Sequence, residues 1–164
     1  MVRKRVLLLC LILNLLFIWG NSLLPREMSG NLSDRVMDVM NTAAEKLGLG
    51  PDFFTFLTDE DGDGEPDRTS LFVRKLAHLA EFACLGVLLR LLNDSTEKAA
   101  ARSLLFAVMT AASDEALQLL SDRGSQFRDV LLDCAGAALG ILLIEAVRRK
   151  RRGNGSESGE RPAV

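Results

Sequence analysis

The chain has 164 residues, of which 48% are hydrophobic and 26% are charged, so apolar blocks are expected to alternate with charged connectors. Its formal net charge is only −2, tyrosine is absent and aromatic residues make up 5%, which argues against a basic, aromatic-rich nucleic-acid surface. The three cysteines, Cys10, Cys84 and Cys134, lie far apart inside apolar segments, so neither a zinc knuckle nor a redox dithiol is indicated.

The first apolar segment covers residues 6–19 and follows three basic residues at positions 3–5. A cleaved signal peptide would have the same pattern, but the candidate cleavage site at residues 20–22 is a poor match to the Ala-x-Ala type. Leu23 and Leu24 then continue the apolar run. We therefore expect an uncleaved transmembrane helix that ends near Leu24.

The connector after this helix, residues 21–73, is acid-rich and is predicted to be an external loop. Within it, Ser33 is a candidate N-cap for an amphipathic helix over residues 34–47, which Gly48 would end. We expect this helix to lie on the membrane interface or over the mouth of the bundle. Its apolar face would consist of Val36, Met40, Ala43, Ala44 and Leu47.

An acidic insertion at residues 58–67 has the spacing of an EF-hand calcium loop. Gly64 stands at position 6 of that loop, but Ser70 replaces the bidentate glutamate at position 12. A weak calcium site, with a dissociation constant of roughly 10⁻⁴–10⁻³ M, and a solvated acidic turn are both compatible with this pattern. No other cofactor is indicated. The candidate calcium ligands are Asp59, Asp61, Asp63 and Asp67.

Three further apolar segments, residues 76–92, 99–120 and 130–147, each have about the length that crosses roughly 30 Å of hydrocarbon. A polar turn at residues 93–96 makes the first two an antiparallel hairpin. The predicted fold class is therefore all-α: a membrane bundle of four transmembrane helices with an amphipathic helix in the first external loop. A transmembrane domain would cover residues 1–148, and a basic, then disordered, cytoplasmic tail would cover residues 149–164.

Basic flanks predict the orientation of this bundle in a cell membrane. Residues 3–5 and 148–152 place both termini in the cytoplasm, and Arg90, Lys98 and Arg102 place the hairpin turn there too. A few basic residues fall on the external side, where pairing with nearby carboxylates is the better interpretation. They are Arg74, Lys75, Arg123 and Arg128.

This topology brings polar residues from three helix ends to one depth, in the outer half of the membrane. His78 and Glu81 share a helix face, as do Asp114 and Gln118, and a stripe of Asp129, Asp133, Gly136 and Gly140 runs along the last segment. One interpretation is structural, with ion pairs that hold the bundle. We favour a functional site, because bundle packing needs only one or two polar contacts of about 0.6 kcal/mol each.

The order of these residues resembles the VanZ-like family of membrane proteins. The family pattern is Lys-x-x-His-x-x-Glu-Phe/Tyr, then Asp-Glu-x-x-Gln, then an arginine, an aspartate and a Gly-x-x-x-Gly helix. The matching residues are Lys75, His78, Glu81, Phe82, Asp114, Glu115, Gln118, Arg123, Asp129, Gly136 and Gly140, together with a Ser/Pro-rich stretch at residues 21–33. Asp133 departs from the family, which often has asparagine there. The resemblance implies a bacterial, multi-pass, cell-envelope protein; the founding member accompanies resistance to glycopeptide antibiotics such as teicoplanin.

Two functional hypotheses follow, and the sequence does not separate them. In the first, an outer-leaflet polar pocket binds a lipid, a lipid-linked envelope precursor or a glycopeptide, with a role in glycopeptide resistance. In the second, the chain is an intramembrane enzyme that modifies an envelope lipid, with His78 as general base, Glu81 or Asp114 orienting it and Glu115 nearby, or with a divalent metal at this set. The candidate binding residues are Lys75, His78, Glu81, Asp114, Glu115, Gln118, Arg123, Asp129 and Asp133.

Overall fold

Long α-helices account for nearly all of the chain that can be described. The computed structural model describes residues 2–24, 26–50, 69–93, 97–120 and 127–157, and none of these forms a strand. The all-α class is therefore confirmed for the described residues. The helices are α1 (Val2–Ser22), α2 (Arg26–Lys46), α3 (Thr69–Leu92), α4 (Glu97–Leu120) and α5 (Phe127–Glu157).

Helices α1, α3, α4 and α5 contain the four predicted apolar segments. Two stretches, Lys98–Leu120 in α4 and Arg128–Arg152 in α5, are long and apolar enough to cross a membrane by length and composition. Helix α5 extends to Glu157, whereas the sequence predicts disorder after Arg152. That four helices cross the membrane stays a prediction.

Helix α2 lies in the segment predicted to be an external loop. Its end is defined by Gly48, which has a φ of 78° and whose amide donates to the Glu45 carbonyl oxygen at 3.0 Å, while the Leu49 amide donates to Ala44 at 3.0 Å. These two bonds form a Schellman motif, which a glycine in the left-handed region favours. Ser33 lies inside the helix and is buried, so it is not the N-cap that the sequence predicts.

The most extensive contact in the bundle is between α3 and α5, although α3 and α4 are the neighbours along the chain. Glycines allow this close approach: a Cβ added at Gly136 would lie 2.5 Å from the Leu79 carbonyl oxygen, and one at Gly140 would collide with the backbone of Ala83. Gly86 faces the backbone of Ala137 in the same way. The Gly136-x-x-x-Gly140 motif therefore packs on α3.

We expect Gly140→Ala to destabilise the bundle by about 1–3 kcal/mol, because the added methyl group forces α3 and α5 apart. Gly20→Ala is the matched control, since nothing lies within 4 Å of a Cβ at Gly20 in α1. Thermal unfolding of the two purified variants in one detergent measures the difference. Equal loss of stability in both variants would contradict a close glycine contact between α3 and α5.

Small and large side chains interlock in the core, while many large apolar side chains remain on the outside of the bundle. The buried cluster consists of Ile18, Phe82, Leu85, Leu89, Ala107, Ala111 and Ala137. On the outside, Leu13, Phe17, Met109 and Leu142 are each more than half exposed. Soluble proteins rarely expose large contiguous apolar surface, so contact with lipid is the natural environment for these faces.

Near the end of α3, a buried arginine takes part in a network of polar contacts that connects α3, α4 and α5. Arg90 is 1% exposed, forms an ion pair with Glu145 of α5, and donates to the Asn93 carbonyl oxygen at 3.3 Å. Asn93 in turn donates to Ser103 Oγ of α4 at 2.9 Å, and Arg148 donates to the Arg90 carbonyl oxygen at 3.0 Å. We call Arg90, Glu145 and Arg148 the arginine cluster.

Candidate functional site

Polar side chains from α3, α4 and α5 meet near the middle of α3, away from the arginine cluster. His78 lies 12 residues before Arg90, which is about 18 Å along an α-helix. We call the following buried residues the polar cluster: His78 and Glu81 of α3, Asp114 and Gln118 of α4, and Asp133 of α5. Glu115 of α4 is buried as well.

His78 stands between two aspartates from two other helices. Its Nδ1 atom lies 3.4 Å from Asp133 Oδ1 and 3.8 Å from Asp114 Oδ2, and both aspartates are 0% exposed. Glu81, one turn further along α3, is close enough to His78 and Asp114 for their charges to interact. The packing of α3 against α4 and α5 thus brings these side chains together.

Helix α1 contributes partners that sequence reasoning missed. Ser22 Oγ donates to Asp114 Oδ1 at 2.6 Å, and Asn21 Nδ2 donates to Glu81 Oε1 at 3.1 Å. Asn14 Nδ2 lies 3.5 Å from the Glu81 carbonyl oxygen. The sequence did contain a signal for these contacts. Asn14, Asn21 and Ser22 are polar residues of a mostly apolar helix, and Asn21 and Ser22 lie at the end that is predicted to reach the external side.

Gln118 completes the support of Asp114. Its Nε2 donates to Asp114 Oδ2 at 3.0 Å, one turn away on α4. Both carboxylate oxygens of Asp114 thus accept a hydrogen bond, one from α1 and one from α4. These two bonds hold the Asp114 carboxylate in one orientation relative to His78.

Asp133 has no such support from the part of the chain that the structure describes. Both of its carboxylate oxygens are buried and receive no hydrogen bond there, and the same holds for Glu81 Oε2. Buried polar atoms are normally satisfied, because leaving one unpaired costs about 1–3 kcal/mol. The polar cluster therefore has more acceptors than donors, and a hydrogen-bond donor or a cation would complete it.

Two small pockets border the polar cluster, and His78 and Arg74 line both. The first, of about 30 Å³, is also lined by Lys75, Gln118, Asp129 and Leu132. The second, of about 70 Å³, lies between α1, α2 and α3 and includes Asn21 and Ser33 among its lining residues. Such volumes accommodate a few water-sized groups, so one functional group of a ligand fits, whereas a whole lipid head group does not.

The predicted site residues therefore separate into three sets. His78, Glu81, Asp114, Glu115, Gln118 and Asp133 are buried, while Lys75 is exposed and Asp129 half-buried at the rim of the first pocket. Outside the described residues lie Arg123 and the predicted calcium ligands Asp59, Asp61, Asp63 and Asp67.

Comparison with known proteins matches the chain to a family and to a similar membrane protein. The VanZ/LLP1 family model matches residues 6–148. The uncharacterized membrane protein YwnJ of Bacillus subtilis (strain 168) is 40% identical over 116 residues, which cover 70% of this chain and 79% of YwnJ. No solved structure matches the chain significantly.

Proposed function

The chain belongs to the VanZ/LLP1 family, and from this membership and the buried polar cluster we propose a multi-pass envelope protein that binds one polar group of a membrane-resident ligand. The candidate ligands are a lipid, a lipid-linked envelope precursor or a glycopeptide that inserts into the membrane. The observation that carries the proposal is a set of six buried ionisable or amide side chains in an apolar bundle. Ionisable groups are expensive in a bilayer and mark functional sites there.

The proposed topology has four membrane-crossing helices, α1, α3, α4 and α5, with both termini in the cytoplasm. Basic residues lie in the first turn of α1, at 3–5, and near the end of α5, at 148–152, and the positive-inside rule places such residues in the cytoplasm. With this orientation the polar cluster lies in the outer half of the membrane and the arginine cluster in the inner half. Helix α2 would then lie outside, against the start of α3.

Cysteine labelling of intact bacteria tests this topology. The native cysteines are first replaced, and Lys46→Cys and Lys150→Cys are then compared, since both lysines are exposed. We expect an impermeant maleimide to label the cysteine at position 46 in intact cells and the one at position 150 only after permeabilisation. The reverse pattern would place the polar cluster on the cytoplasmic side and contradict the proposal.

The charges of the site indicate which ligand groups it suits. Arg74 and Lys75 at the rim of the first pocket suit a phosphate or carboxylate, because charge-assisted hydrogen bonds to such groups are strong. The acceptor-rich interior, with Asp133 and Glu81 Oε2, suits a hydroxyl, ammonium or amide N–H donor. A lipid or lipid-linked precursor that carries both an anionic group and a donor meets both requirements.

Direct binding measurements test the ligand class. Purified protein in detergent is titrated with phosphatidylglycerol, which has a phosphate and two hydroxyl donors, and with phosphatidylcholine, which has no donor; complexes are counted by native mass spectrometry. We expect preference for phosphatidylglycerol, and about tenfold weaker binding for Lys75→Gln, since a hydrogen bond to a charged group contributes about 1.5 kcal/mol or more.

Lys98→Gln is the control for this experiment, because Lys98 is exposed at the beginning of α4, at the other end of the bundle. Equal affinity for both lipids, or equal weakening by both lysine substitutions, would contradict a specific rim at Arg74 and Lys75. A polyprenyl-pyrophosphate precursor and teicoplanin, measured in the same way, distinguish the other two ligand classes. A role in glycopeptide resistance follows only if one of these two binds.

A further inference from the structure

Three acidic or imidazole side chains of the polar cluster have the separations of a metal-binding site. One ligand atom from each of His78, Asp114 and Asp133 can be chosen so that all three lie within 4.8 Å of one another. From this geometry and the chemistry around it, we propose that these residues bind one divalent transition-metal ion.

The distances need little adjustment for coordination. Zinc–ligand bonds are about 2.0–2.2 Å long, so the ligands of a tetrahedral ion lie roughly 3.3–3.6 Å apart. His78 Nδ1 is already 3.4 Å from Asp133 Oδ1 and 3.8 Å from Asp114 Oδ2. The two distances to Nδ1 therefore need adjustments of at most a few tenths of an ångström, and the two aspartate oxygens lie within 4.8 Å of each other.

The environment of Asp133 is a second, independent observation that indicates a cation. Its side chain is fully buried, it faces His78, and neither of its oxygens receives a hydrogen bond from the described part of the chain. An ionised carboxylate in that position needs a positive charge nearby, and the single imidazole of His78 is shared with Asp114. A divalent ion would supply the missing charge and coordinate the free oxygens.

The surroundings of Asp114 have the character of an outer coordination shell. Its two oxygens accept hydrogen bonds from Ser22 and Gln118, and carboxylates that bind metals are typically held by such partners. The pocket of about 30 Å³ beside His78 leaves room for a water molecule or one ligand atom as the fourth ligand.

The donor set selects the class of ion. One imidazole nitrogen with two carboxylates is a mixed nitrogen and oxygen site, which suits zinc or manganese better than calcium, an ion that prefers six to eight oxygens. Three protein ligands with one open position is the arrangement of zinc sites that also bind an exogenous molecule. That the ion also coordinates an anionic group of the ligand rests on the proposed function. The binding of the ion itself does not depend on that function.

The test uses protein purified without a polyhistidine tag, stripped with a chelator and dialysed against zinc, manganese, magnesium or calcium. We expect one zinc or manganese ion per chain by elemental analysis. Metal titration should show binding to Asp133→Asn that is weaker by at least the roughly 10–100-fold that loss of an outer-shell partner costs. Asp38→Asn is the matched control, because it makes the same chemical change at an exposed position of α2, outside the triad and outside the lining of both pockets. Helix content and size-exclusion profiles identify any variant that fails to fold.

His78 is the only histidine in the chain, so a spectroscopic test needs no variant. With ¹⁵N-histidine labelling, saturating zinc should shift the imidazole nitrogens of one residue. An unshifted imidazole, or unchanged metal content in a folded Asp133→Asn protein, overturns the metal site. Because these measurements are made without lipid, metal binding without lipid binding would contradict only the proposed function, and lipid binding without metal would contradict only the metal site.

Discussion

His78→Gln is expected to abolish the function of the protein while its membrane abundance stays normal. Glutamine keeps hydrogen-bonding capacity and similar bulk, but it has no imidazole to interact with Asp114 and Asp133, which lie 3.8 and 3.4 Å from Nδ1. Three helices converge on this side chain, so no neighbouring residue can replace it. If the wild-type chain protects a host that lacks its own homologue against teicoplanin, the readout is that survival; otherwise it is binding of the lipid ligand, with protein amount measured in parallel.

Glu81→Gln extends this prediction, because it keeps the shape of a buried side chain and removes its charge. We expect it to reduce the same readout strongly. Glu45→Gln makes the same chemical change at an exposed position of α2 and should have no effect. If His78→Gln and Glu81→Gln retain full activity, or lose activity only as protein is lost, the polar cluster is a structural element of the bundle.

The largest effect on stability is expected from Glu145→Leu in the arginine cluster. This change leaves the guanidinium of Arg90, which is 1% exposed, without its carboxylate partner. Breaking a buried ion pair by removing one partner costs about 3–5 kcal/mol, because the remaining charge stays desolvated. Thermal unfolding in detergent should show the loss.

A double variant distinguishes the contribution of the ion pair from the contribution of side-chain packing. Replacing both partners, Arg90→Met with Glu145→Leu, should recover much of the lost stability, because no buried charge remains. Arg149→Met is the control, since Arg149 is exposed on the same helix as Glu145. A double variant as unstable as Glu145→Leu would show that Arg90 acts through contacts other than this ion pair.

The helical class and the position of the long helices followed from the sequence because apolar runs of about 20 residues have few other solutions. The ends of α3 and α4 at Leu92 and Leu120 agree with the predicted segments. Ser33 misled the prediction for α2, since a serine before acidic residues resembles an N-cap wherever it occurs. The helix begins at Arg26 and buries Ser33.

The choice of partners for each helix required the three-dimensional structure. Periodicity places His78 and Glu81 on one face of α3, but it does not indicate that α5 is the main neighbour of α3, since helix pairing depends on which backbones can approach. The glycines at 86, 136 and 140 decide that pairing. Nor does periodicity reveal that Ser22 of α1 donates to Asp114, a contact across 92 residues of sequence.

The sequence therefore identifies the polar residues, whereas only the packing of the helices determines which of them donate hydrogen bonds to which acceptors. His78, Asp114 and Asp133 stand out in the sequence because ionisable residues in apolar segments are rare. Asp114 accepts hydrogen bonds from Ser22 and Gln118, whereas Asp133 accepts none from the described residues and has only the 3.4 Å contact with His78. This difference depends on side chains that meet from four helices. The helical periodicity of the sequence determines on which face of its helix a side chain lies. Only the tertiary packing determines which residues that side chain contacts.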